Sequence, residues 1–288
     1  MGSTTRTLVL VLLVAFFAAT GAAWWDSGWQ YRKPINVTEQ SGRTLQDYAV
    51  SINPGLFPTN GLVGSWHFSA GDGDHARDFS GHANHGRLNG GAWTTGTRSA
   101  VRLQGGDHVA LGTEPELGPS TLTLLVWVKP TGSKEKEYLY DGRNHEFWLK
   151  EQDRTEKLQP GITISGNSHF FTMDTPLQQG TWYLAAMTYD GETLSAYLFN
   201  SKGRLLEEQH DGSMSGGIDQ SSGTSRIGNY IGGGYGYAGA IDDVKLYNRA
   251  LKEGTIRSMA ESPSGPGLDD LRFATPDGTQ LDYFHRYD

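Results

Sequence analysis

Two apolar segments that flank a tight-turn signal constrain this chain more than any other feature. Residues 182–189 and residues 194–199 are both rich in aromatic and aliphatic side chains, and Asp190-Gly191 lies between them. An Asp-Gly pair between two such segments is a strong signal for a β-hairpin. The pattern therefore predicts two antiparallel strands joined at Asp190-Gly191.

The glycine content extends this prediction to the whole chain. Gly accounts for 39 of the 288 residues, which is nearly twice the average usage of about 7%. Frequent glycine combined with period-2 apolar patterns indicates many tight turns between short strands, and hence an all-β fold. A stretch of about 200 residues is long enough for one large sandwich core.

A late strand and several upstream segments complete the pattern. Residues 239–251 predict a strand that carries two adjacent carboxylates, Asp242 and Asp243. Upstream lies a Gly-rich loop, Asp78-Phe-Ser-Gly-His-Ala-Asn84-His-Gly86. Four further segments alternate or concentrate apolar residues in the manner of strands, and they are residues 62–68, 99–105, 107–111 and 121–130.

Taken in order, these segments resemble the laminin-G-like branch of the concanavalin A-like lectin/glucanase superfamily over about residues 61–261. The resemblance implies an all-β fold, a two-sheet antiparallel jelly-roll sandwich. Members of this branch mostly bind glycans or proteins on cell surfaces. The resemblance therefore implies a binding or adhesion protein, with a glycan as the first expected partner and a cell-surface protein as the second.

The segments on either side of the sandwich predict a smaller, partial β-domain. Residues 24–58 and 268–288 resemble the opening and the continuation of an uncharacterised β-domain of prokaryotic surface proteins, and residues 262–267 have the composition of a linker. We therefore expect that the sandwich is inserted into this domain. Residues 31–38 and 48–52 should then pair with 270–274 or 280–284. The chain stops soon after Tyr283, which predicts that the second half is truncated.

The N-terminal residues 1–23 predict a secretory signal peptide. Arg6 precedes a 12-residue apolar run, and Gly21-Ala-Ala23 follows it. A run of this length is too short to span a bilayer unaided, so we expect a secreted or cell-surface protein without a retained membrane span. The chain has no Cys, and its net charge of −8 offers no basic face for nucleic acid.

The resemblance also implies a structural calcium ion. In calcium-bearing members, groups from the Gly-rich loop and the late strand share one ion. This places Asp78, Asn84, Asp242 and Asp243 as ligands here, and calcium does prefer such hard oxygen atoms. The alternative is that Asp78 and Asn84 cap the backbone of their own turn, and that the two strand carboxylates lie at a solvated edge.

The sequence offers no complete catalytic set. Retaining glucanases need two carboxylates about 5 Å apart, and the resemblance would place them on one strand, but residues 239–246 contain no Glu. A Cys nucleophile and a Gly-x-Ser-x-Gly elbow are also missing from the sequence. We predict a protein that is not an enzyme. The alternatives are a glycoside hydrolase, an accessory module of one, or a ligand-free spacer of a cell envelope.

Aromatic residues in a Gly-rich loop predict the ligand site. Sugar rings stack on exposed aromatic faces, with polar side chains nearby to meet their hydroxyls. The loop of residues 229–238 offers Asn229, Tyr230, Tyr235 and Tyr237. The loop of residues 78–86 adds His82 and His85, and we expect the two loops to meet at one rim of the sandwich. The alternative is that the tyrosines pack against the rim.

The strand tryptophans are predicted to belong to the core. Large aromatic residues in apolar strands are far more often buried than exposed. These residues are Trp66, Trp127, Trp148 and Trp182.

Overall fold

The computed structural model describes residues 58–68, 73–94, 99–132, 137–152 and 154–261, and the backbone of four further strands. The chain divides into two compact units. The larger unit is Pro58–Ser264, and the smaller one combines residues 1–57 with residues 265–287.

Twenty strands, one α-helix and one short 3₁₀ turn make up the described structure. The strands are β1 (Thr7–Leu13), β2 (Arg32–Thr38), β3 (Leu62–Trp66), β4 (His75–Ala76), β5 (Gly86–Asn89), β6 (Ala92–Thr94), β7 (Ala100–Leu103), β8 (His108–Ala110), β9 (Leu122–Pro130), β10 (Glu137–Gly142), β11 (Phe147–Gln152), β12 (Lys157–Ile164), β13 (Asn167–Phe170), β14 (Tyr183–Tyr189), β15 (Leu194–Asn200), β16 (Leu205–Asp211), β17 (Arg226–Ile227), β18 (Gly239–Tyr247), β19 (Phe273–Ala274) and β20 (Gln280–Leu281). The 3₁₀ turn is Pro115–Leu117, and the helix α1 is Glu253–Glu261.

The larger unit is a sandwich of two antiparallel sheets, which confirms the predicted fold class. Sheet A has eight strands in the order β13-β12-β11-β10-β17-β8-β5-β4. Sheet B has the order β16-β15-β14-β9-β18-β7-β6, and β3 pairs with β18 beside this path. Strands β7 and β8 follow one another in the chain but lie in different sheets, so the chain crosses between the layers there.

The hairpin predicted from residues 182–199 forms as expected. Strands β14 and β15 pair along their full length, with Tyr189 opposite Leu194. The carboxylate of Asp190 accepts hydrogen bonds from the backbone N–H of Glu192 at 2.9 Å and of Thr193 at 2.8 Å. Gly191 adopts a φ of 106°, which favours glycine because a side chain would be strained there. The turn is therefore encoded locally.

Apolar side chains from both sheets fill the space between them. Sheet B contributes residues such as Leu124, Val126 and Met187, and sheet A contributes residues such as Leu149 and Ile162, all of them fully buried. Alternate residues of each strand point to this core, as the pleat of a strand requires. The other face of sheet A is therefore turned away from the core, and we call it the outer face of sheet A.

Helix α1 follows the last strand of the sandwich. Its buried residues are Ile256, Met259 and Ala260, which repeat at helical spacing and define one apolar face. The helix lies against β15 of sheet B. The helix ends at Glu261, directly before the predicted linker.

The smaller unit pairs different strands from those that the sequence predicts. Strand β2 pairs with β1, and β19 pairs with β20. Among the described residues of this unit, residues 31–38 therefore do not pair with the C-terminal segment, although β1 lies beside β19. Residues 48–52 and the linker 262–267 lie outside the described residues. Insertion of the sandwich into a host domain, and a signal peptide at residues 1–23, stay predictions.

The described part of the chain contains no helix that is long and apolar enough to cross a membrane.

Candidate functional site

The carboxylate of Asp78 organises the loop between β4 and β5. Its Oδ1 accepts hydrogen bonds from the backbone N–H of Ser65 at 2.8 Å and of Ser80 at 2.9 Å. Its Oδ2 accepts from the Ser80 hydroxyl at 2.7 Å and from the Asn84 N–H at 2.9 Å. The four donors use the lone pairs that a carboxylate offers. Asp78 therefore caps its own loop and ties that loop to β3.

Asn84 and His85 continue this network within the same loop. The Asn84 side-chain amide donates to the Val63 carbonyl at 2.7 Å, and the Asn84 carbonyl accepts from the Trp66 indole at 2.9 Å. The N–H of Asp78 donates to Nδ1 of His85 at 3.0 Å. These bonds fix the loop against β3, the first strand of the sandwich, in which Val63 and Trp66 are buried.

The two carboxylates of β18 are separated by a β-bulge. The pairing of β18 with β9 shifts between Asp242 and Lys245, and Asp243 adopts a φ of 46°. The bulge turns the Asp243 side chain to Lys245, with which it forms an ion pair, and to Nδ1 of His67 at 2.8 Å. Asp242 and Asp243 are both buried. The alternative of a solvated strand edge is therefore wrong.

The four residues do not fit a shared calcium ion in this arrangement. The oxygens of Asp78 are occupied by N–H and O–H donors, and Asp243 is already neutralised by an ammonium group beside it. A calcium ion at this point would have to displace those donors and lie close to the positive charge of Lys245. Among the described residues, no three His, Asp or Glu side chains converge on a position that could hold a metal ion.

Replacement of Asp78 separates a capping role from a calcium role. We expect Asp78→Asn to lower the free energy of unfolding by about 2 kcal/mol, since several hydrogen bonds to a charged acceptor are lost. The decrease should be the same in excess calcium and in EDTA, as measured by thermal melts under both conditions. If the decrease appears only in calcium, Asp78 is a metal ligand after all. Asp107→Asn, in the short loop before β8, serves as a matched control.

The predicted ligand residues of the 229–238 loop are divided by the fold. Tyr230 and Tyr235 are partly exposed, and their rings lie 5.8 Å apart. Tyr237 is 0% exposed and belongs to the sandwich core, and Asn229 is also buried. The expectation that Tyr237 and Asn229 contact a ligand is therefore wrong. They are buried because the chain turns inward after Tyr235 to enter sheet B at Gly239.

The predicted meeting of the two loops at one rim is also wrong. Arg87 of β5 and Arg226 of β17 both lie opposite Ala110 of β8, so β5 and β17 run in the same direction. The chain enters β5 from the 78–86 loop, and it leaves β17 toward the 229–238 loop. The two loops therefore join opposite ends of sheet A. His82 and His85 are exposed, but they lie with Asp78 rather than with the tyrosines.

The 229–238 loop folds back across the outer face of sheet A. The N–H of Ile231 donates to Oδ2 of Asp141 at 2.8 Å, and the Arg226 guanidinium donates to the Tyr230 carbonyl at 3.2 Å. The N–H of Tyr138 donates to the carbonyl of Tyr235 at 3.1 Å. These bonds anchor both ends of the loop to β10 and β17. They place its two partly exposed tyrosines over the middle of the sheet.

Five rings converge at this point, and we call them the aromatic cluster. Its members are Tyr138, His145, Trp148, Tyr230 and Tyr235. The ring of Tyr138 lies 5.2 Å from that of Tyr230 and 6.3 Å from that of Tyr235. His145 stacks on Trp148 at 4.1 Å and meets Tyr230 edge to face at 5.4 Å. Adjacent rings at these distances and tilts stabilise one another.

Cross-strand register explains why these side chains share the outer face. Asp141 lies opposite Trp148, which lies opposite Gly161 of β12, and Gly161 lies opposite Phe170 of β13. Residues directly opposite one another project from the same face of a sheet. Leu149, the neighbour of Trp148, points to the core instead. Trp148 is therefore buried, as predicted and like Trp66 and Trp127, but it is buried on the outer face of sheet A and not between the two sheets.

Sequence analysis missed Tyr138, His145 and Trp148 as site residues. The segment Phe147-Trp-Leu149 is apolar without alternation, so its pattern cannot show which face is the core. The clearest available signal was the turn Gly142–Glu146, where charged and polar residues interrupt two aromatic strands.

One pair of carboxylates does lie opposite each other, on neighbouring strands. Glu137 of β10 pairs with Glu151 of β11, and both side chains share the core face with Leu149 and are buried. Burial, together with the carboxylates of Glu137 and Glu156, raises the pKa of Glu151 to about 8. A sugar cannot lie between two carboxylates that point into the sandwich. This pair therefore lends no support to the glycosidase alternative.

Comparison by sequence matches more than half of the chain to one family. Residues 103–257 match a laminin G profile described as the concanavalin A-like lectin/glucanases superfamily. A search of curated protein sequences found no significant match.

Comparison by structure finds the same sandwich in several solved proteins. The binding domain of Paraclostridial Mosquitocidal Protein 1 has a TM-score of 0.57 at 14% identity, over 71% of this chain and 53% of that one. Domain 4 of AbnA, a GH43 extracellular arabinanase of Geobacillus stearothermophilus solved with arabinotriose, has a TM-score of 0.54 at 16% identity, over 69% of this chain and 98% of that one. Trypanosoma rangeli sialidase has a TM-score of 0.52 at 17% identity, over 71% of this chain but only 33% of the sialidase.

Proposed function

Because the chain belongs to the concanavalin A-like lectin/glucanases superfamily, we propose that it is a non-catalytic carbohydrate-binding protein. The ligand lies on the outer face of sheet A, against the aromatic cluster. The superfamily includes both lectins and glucanases, so the choice between binding and catalysis depends on the site itself.

The observation that carries this proposal is the convergence of aromatic rings outside the core. Four aromatic residues and a histidine form one continuous group, and Tyr230 and Tyr235 offer it to solvent. Phe170, whose ring lies 6.4 Å from that of Trp148, extends the group and is 53% exposed. Exposed large apolar side chains that adjoin polar groups mark binding surfaces. Here the polar groups are Asp141, Arg226 and His145.

The similar structures support a binding role in their own right. Nearly the full length of AbnA domain 4 matches part of this chain, and that domain was solved with a bound arabinotriose. The mosquitocidal protein domain is named a binding domain. The chain spans about half of that domain and a third of the sialidase. We accordingly propose a binding module and no hydrolytic activity.

An extracellular location is also part of the proposal. It is supported by the charged start and short apolar run of residues 6–19. A soluble or surface-bound glycan is the ligand that such a protein would meet.

Loss of Tyr235 should weaken glycan binding without loss of the fold. We expect Tyr235→Ala to weaken the free energy of binding to an immobilised polysaccharide by about 1–2 kcal/mol, because the variant removes the stacking area of a partly exposed ring. Affinity electrophoresis over a panel of polysaccharides that includes arabinan measures this effect, and circular dichroism monitors the fold.

Two variants control for the position of the ring. Phe79→Ala removes an aromatic side chain that is 49% exposed but lies on the loop at the opposite end of sheet A. Tyr237→Phe removes only a buried hydroxyl. Neither should change retention. Equal retention by Tyr235→Ala and the wild type would exclude the aromatic cluster as the site, and lack of retention by the wild type on every polysaccharide would favour a protein ligand or a structural spacer.

A further inference from the structure

Trp148 lies flat on the outer face of sheet A because the residue opposite it has no side chain. A Cβ placed on Gly161 would lie 2.1 Å from the indole atoms Cε2 and Cζ2. Any other residue at position 161 would therefore push the indole off the sheet. Glycine inside a strand weakens pairing and often marks a close approach of another group. Here that group is the indole, which the sheet supports from beneath.

The imidazole of His145 covers the indole. The two rings are nearly parallel, at an angle of 13° and a centroid distance of 4.1 Å. Trp148 is only 2% exposed, whereas 29% of the His145 side chain is exposed. Nδ1 of His145 is held by Oδ1 of the fully buried Asp141 at 2.8 Å. A small flat polar ring therefore lies between a tryptophan and the solvent.

The turn that presents His145 is strained. Arg143, Asn144 and His145 have φ values of 41°, 61° and 72°, and three successive non-glycine residues in the left-handed region are costly. The turn is held from outside by bonds from the Arg143 N–H to the Ser225 hydroxyl and from the Asn144 N–H to the Thr224 carbonyl, each 3.0 Å long. Backbone strain of this kind concentrates at binding and switching sites.

The indole also carries a donor that the described structure leaves unused. Nε1 of Trp148 is buried, and no hydrogen-bond acceptor for it exists among the described residues. A buried N–H without an acceptor is unfavourable, and it calls for an explanation. The strained turn at residues 143–145, the indole that His145 covers and the unused Nε1 donor therefore all belong to the short segment that ends at Trp148.

We propose that Trp148 is the principal sugar platform of the site and that His145 occupies this platform in the ligand-free protein. The inference rests on the proposed carbohydrate binding. A sugar ring with an apolar C–H face replaces the imidazole on the indole, and one of its hydroxyl or ring oxygens accepts the Nε1 hydrogen. Displacement of His145 lets the turn relax, which offsets part of the loss of its bond to Asp141.

The first arm of the test needs no sugar. N-bromosuccinimide oxidises accessible indoles, and peptide mass spectrometry measures the oxidation of Trp148 alone. We expect His145→Asn to raise the oxidation rate of Trp148 at least fivefold, since Asn tolerates the left-handed region but cannot cover an indole. His210→Asn, which changes a histidine on β16 of sheet B, should leave the rate unchanged. Equal protection of Trp148 in His145→Asn and the wild type would overturn the covering role.

The second arm measures retention on the same polysaccharide panel. His145→Asn should strengthen retention about threefold to tenfold, because the ligand no longer competes with the imidazole. Trp148→Ala should weaken it at least tenfold. Retention by Trp148→Phe, which keeps a ring but removes Nε1, should lie between that of Trp148→Ala and that of the wild type. This variant also controls for a folding defect in Trp148→Ala. Weaker retention by His145→Asn would make His145 a direct ligand contact and overturn the proposal.

The two arms separate the failure of the inference from the failure of the proposed function. Rapid oxidation of Trp148 in His145→Asn with unchanged glycan retention overturns the platform role and leaves carbohydrate binding in place. Absence of retention in the wild type and in His145→Asn overturns carbohydrate binding itself, whatever the oxidation rates are.

Discussion

Lys245→Met is expected to lower the free energy of unfolding by about 3–5 kcal/mol at pH 7, because it leaves Asp243 charged and buried without its closest cation. Only 4% of the Lys245 side chain and 11% of the Asp243 side chain are exposed. Urea unfolding followed by circular dichroism measures the change. Lys202→Met, at an exposed lysine in the turn after β15, should change the free energy of unfolding by less than about 0.5 kcal/mol.

A double variant tests the reason for this loss. Asn accepts the left-handed backbone that Asp243 adopts at the bulge, so Asp243→Asn combined with Lys245→Met removes both charges without straining β18. We expect this pair to recover at least half of the stability that Lys245→Met loses, since replacing a buried ion pair with neutral groups is often tolerated. If the double variant is as unstable as Lys245→Met, the loss is due to packing and not to charge.

The ion pair also gives stability a dependence on acid. Burial alone would raise the pKa of Asp243, but the Lys245 ammonium and His67 outweigh it and hold the pKa below its ordinary value. A lowered carboxylate pKa contributes stability that is present above the ordinary value and is lost as the pH falls below it. The difference between wild type and Lys245→Met should therefore become smaller as the pH falls below about 4.

Glu151→Gln is expected to have the opposite effect at alkaline pH, where it should stabilise the protein. Burial, followed by the carboxylates of Glu137 and Glu156, raises the pKa of Glu151 from 4.5 to about 8. Between these two values the unfolded chain releases the proton and the folded chain keeps it. The free energy of unfolding of the wild type should therefore fall by as much as about 4 kcal/mol as the pH rises through this range.

The variant removes this dependence because glutamine does not titrate. We expect Glu151→Gln to be more stable than the wild type at pH 9 and to differ little from it at pH 4. Urea unfolding at intervals of one pH unit gives the two curves. Glu192→Gln, at an exposed residue of the β14–β15 turn, should follow the wild type. Parallel curves for Glu151→Gln and the wild type would show that Glu151 is already ionised in the folded protein at neutral pH.

These two predictions concern opposite ways of burying charge in one sandwich. Asp243 is buried beside a cation, so its charge is retained and contributes to the fold. Glu151 is buried opposite another carboxylate, and it lies near the phenol of Tyr237, whose pKa is also raised well above its ordinary range by burial and by the same two carboxylates. The core face of sheet A therefore carries buried carboxylates that lower the free energy of unfolding as the pH rises, whereas the outer face of the same sheet carries the candidate site.

The sequence by itself determined the architecture of the larger unit. The Asp190-Gly191 hairpin, the strand with Trp127 and the strand of residues 239–247 are encoded by local signals, namely turn residues and apolar patterns of period two. The same segments carry the family resemblance that the profile match confirms. The role of Asp78 as a cap of its own loop was likewise one of two readings available from the residues alone.

Only the tertiary structure decided which side chains form the site. Bulges shift the register of β10 after Tyr138 and of β18 at Asp243, and one extra residue moves the following side chains to the other face. Where both faces of a strand are apolar, as at Phe147-Trp-Leu149, the sequence cannot distinguish the core from the outer face. Contacts between the 229–238 loop and β10 join residues about 90 positions apart, and such pairing depends on strand order, which local sequence signals do not specify.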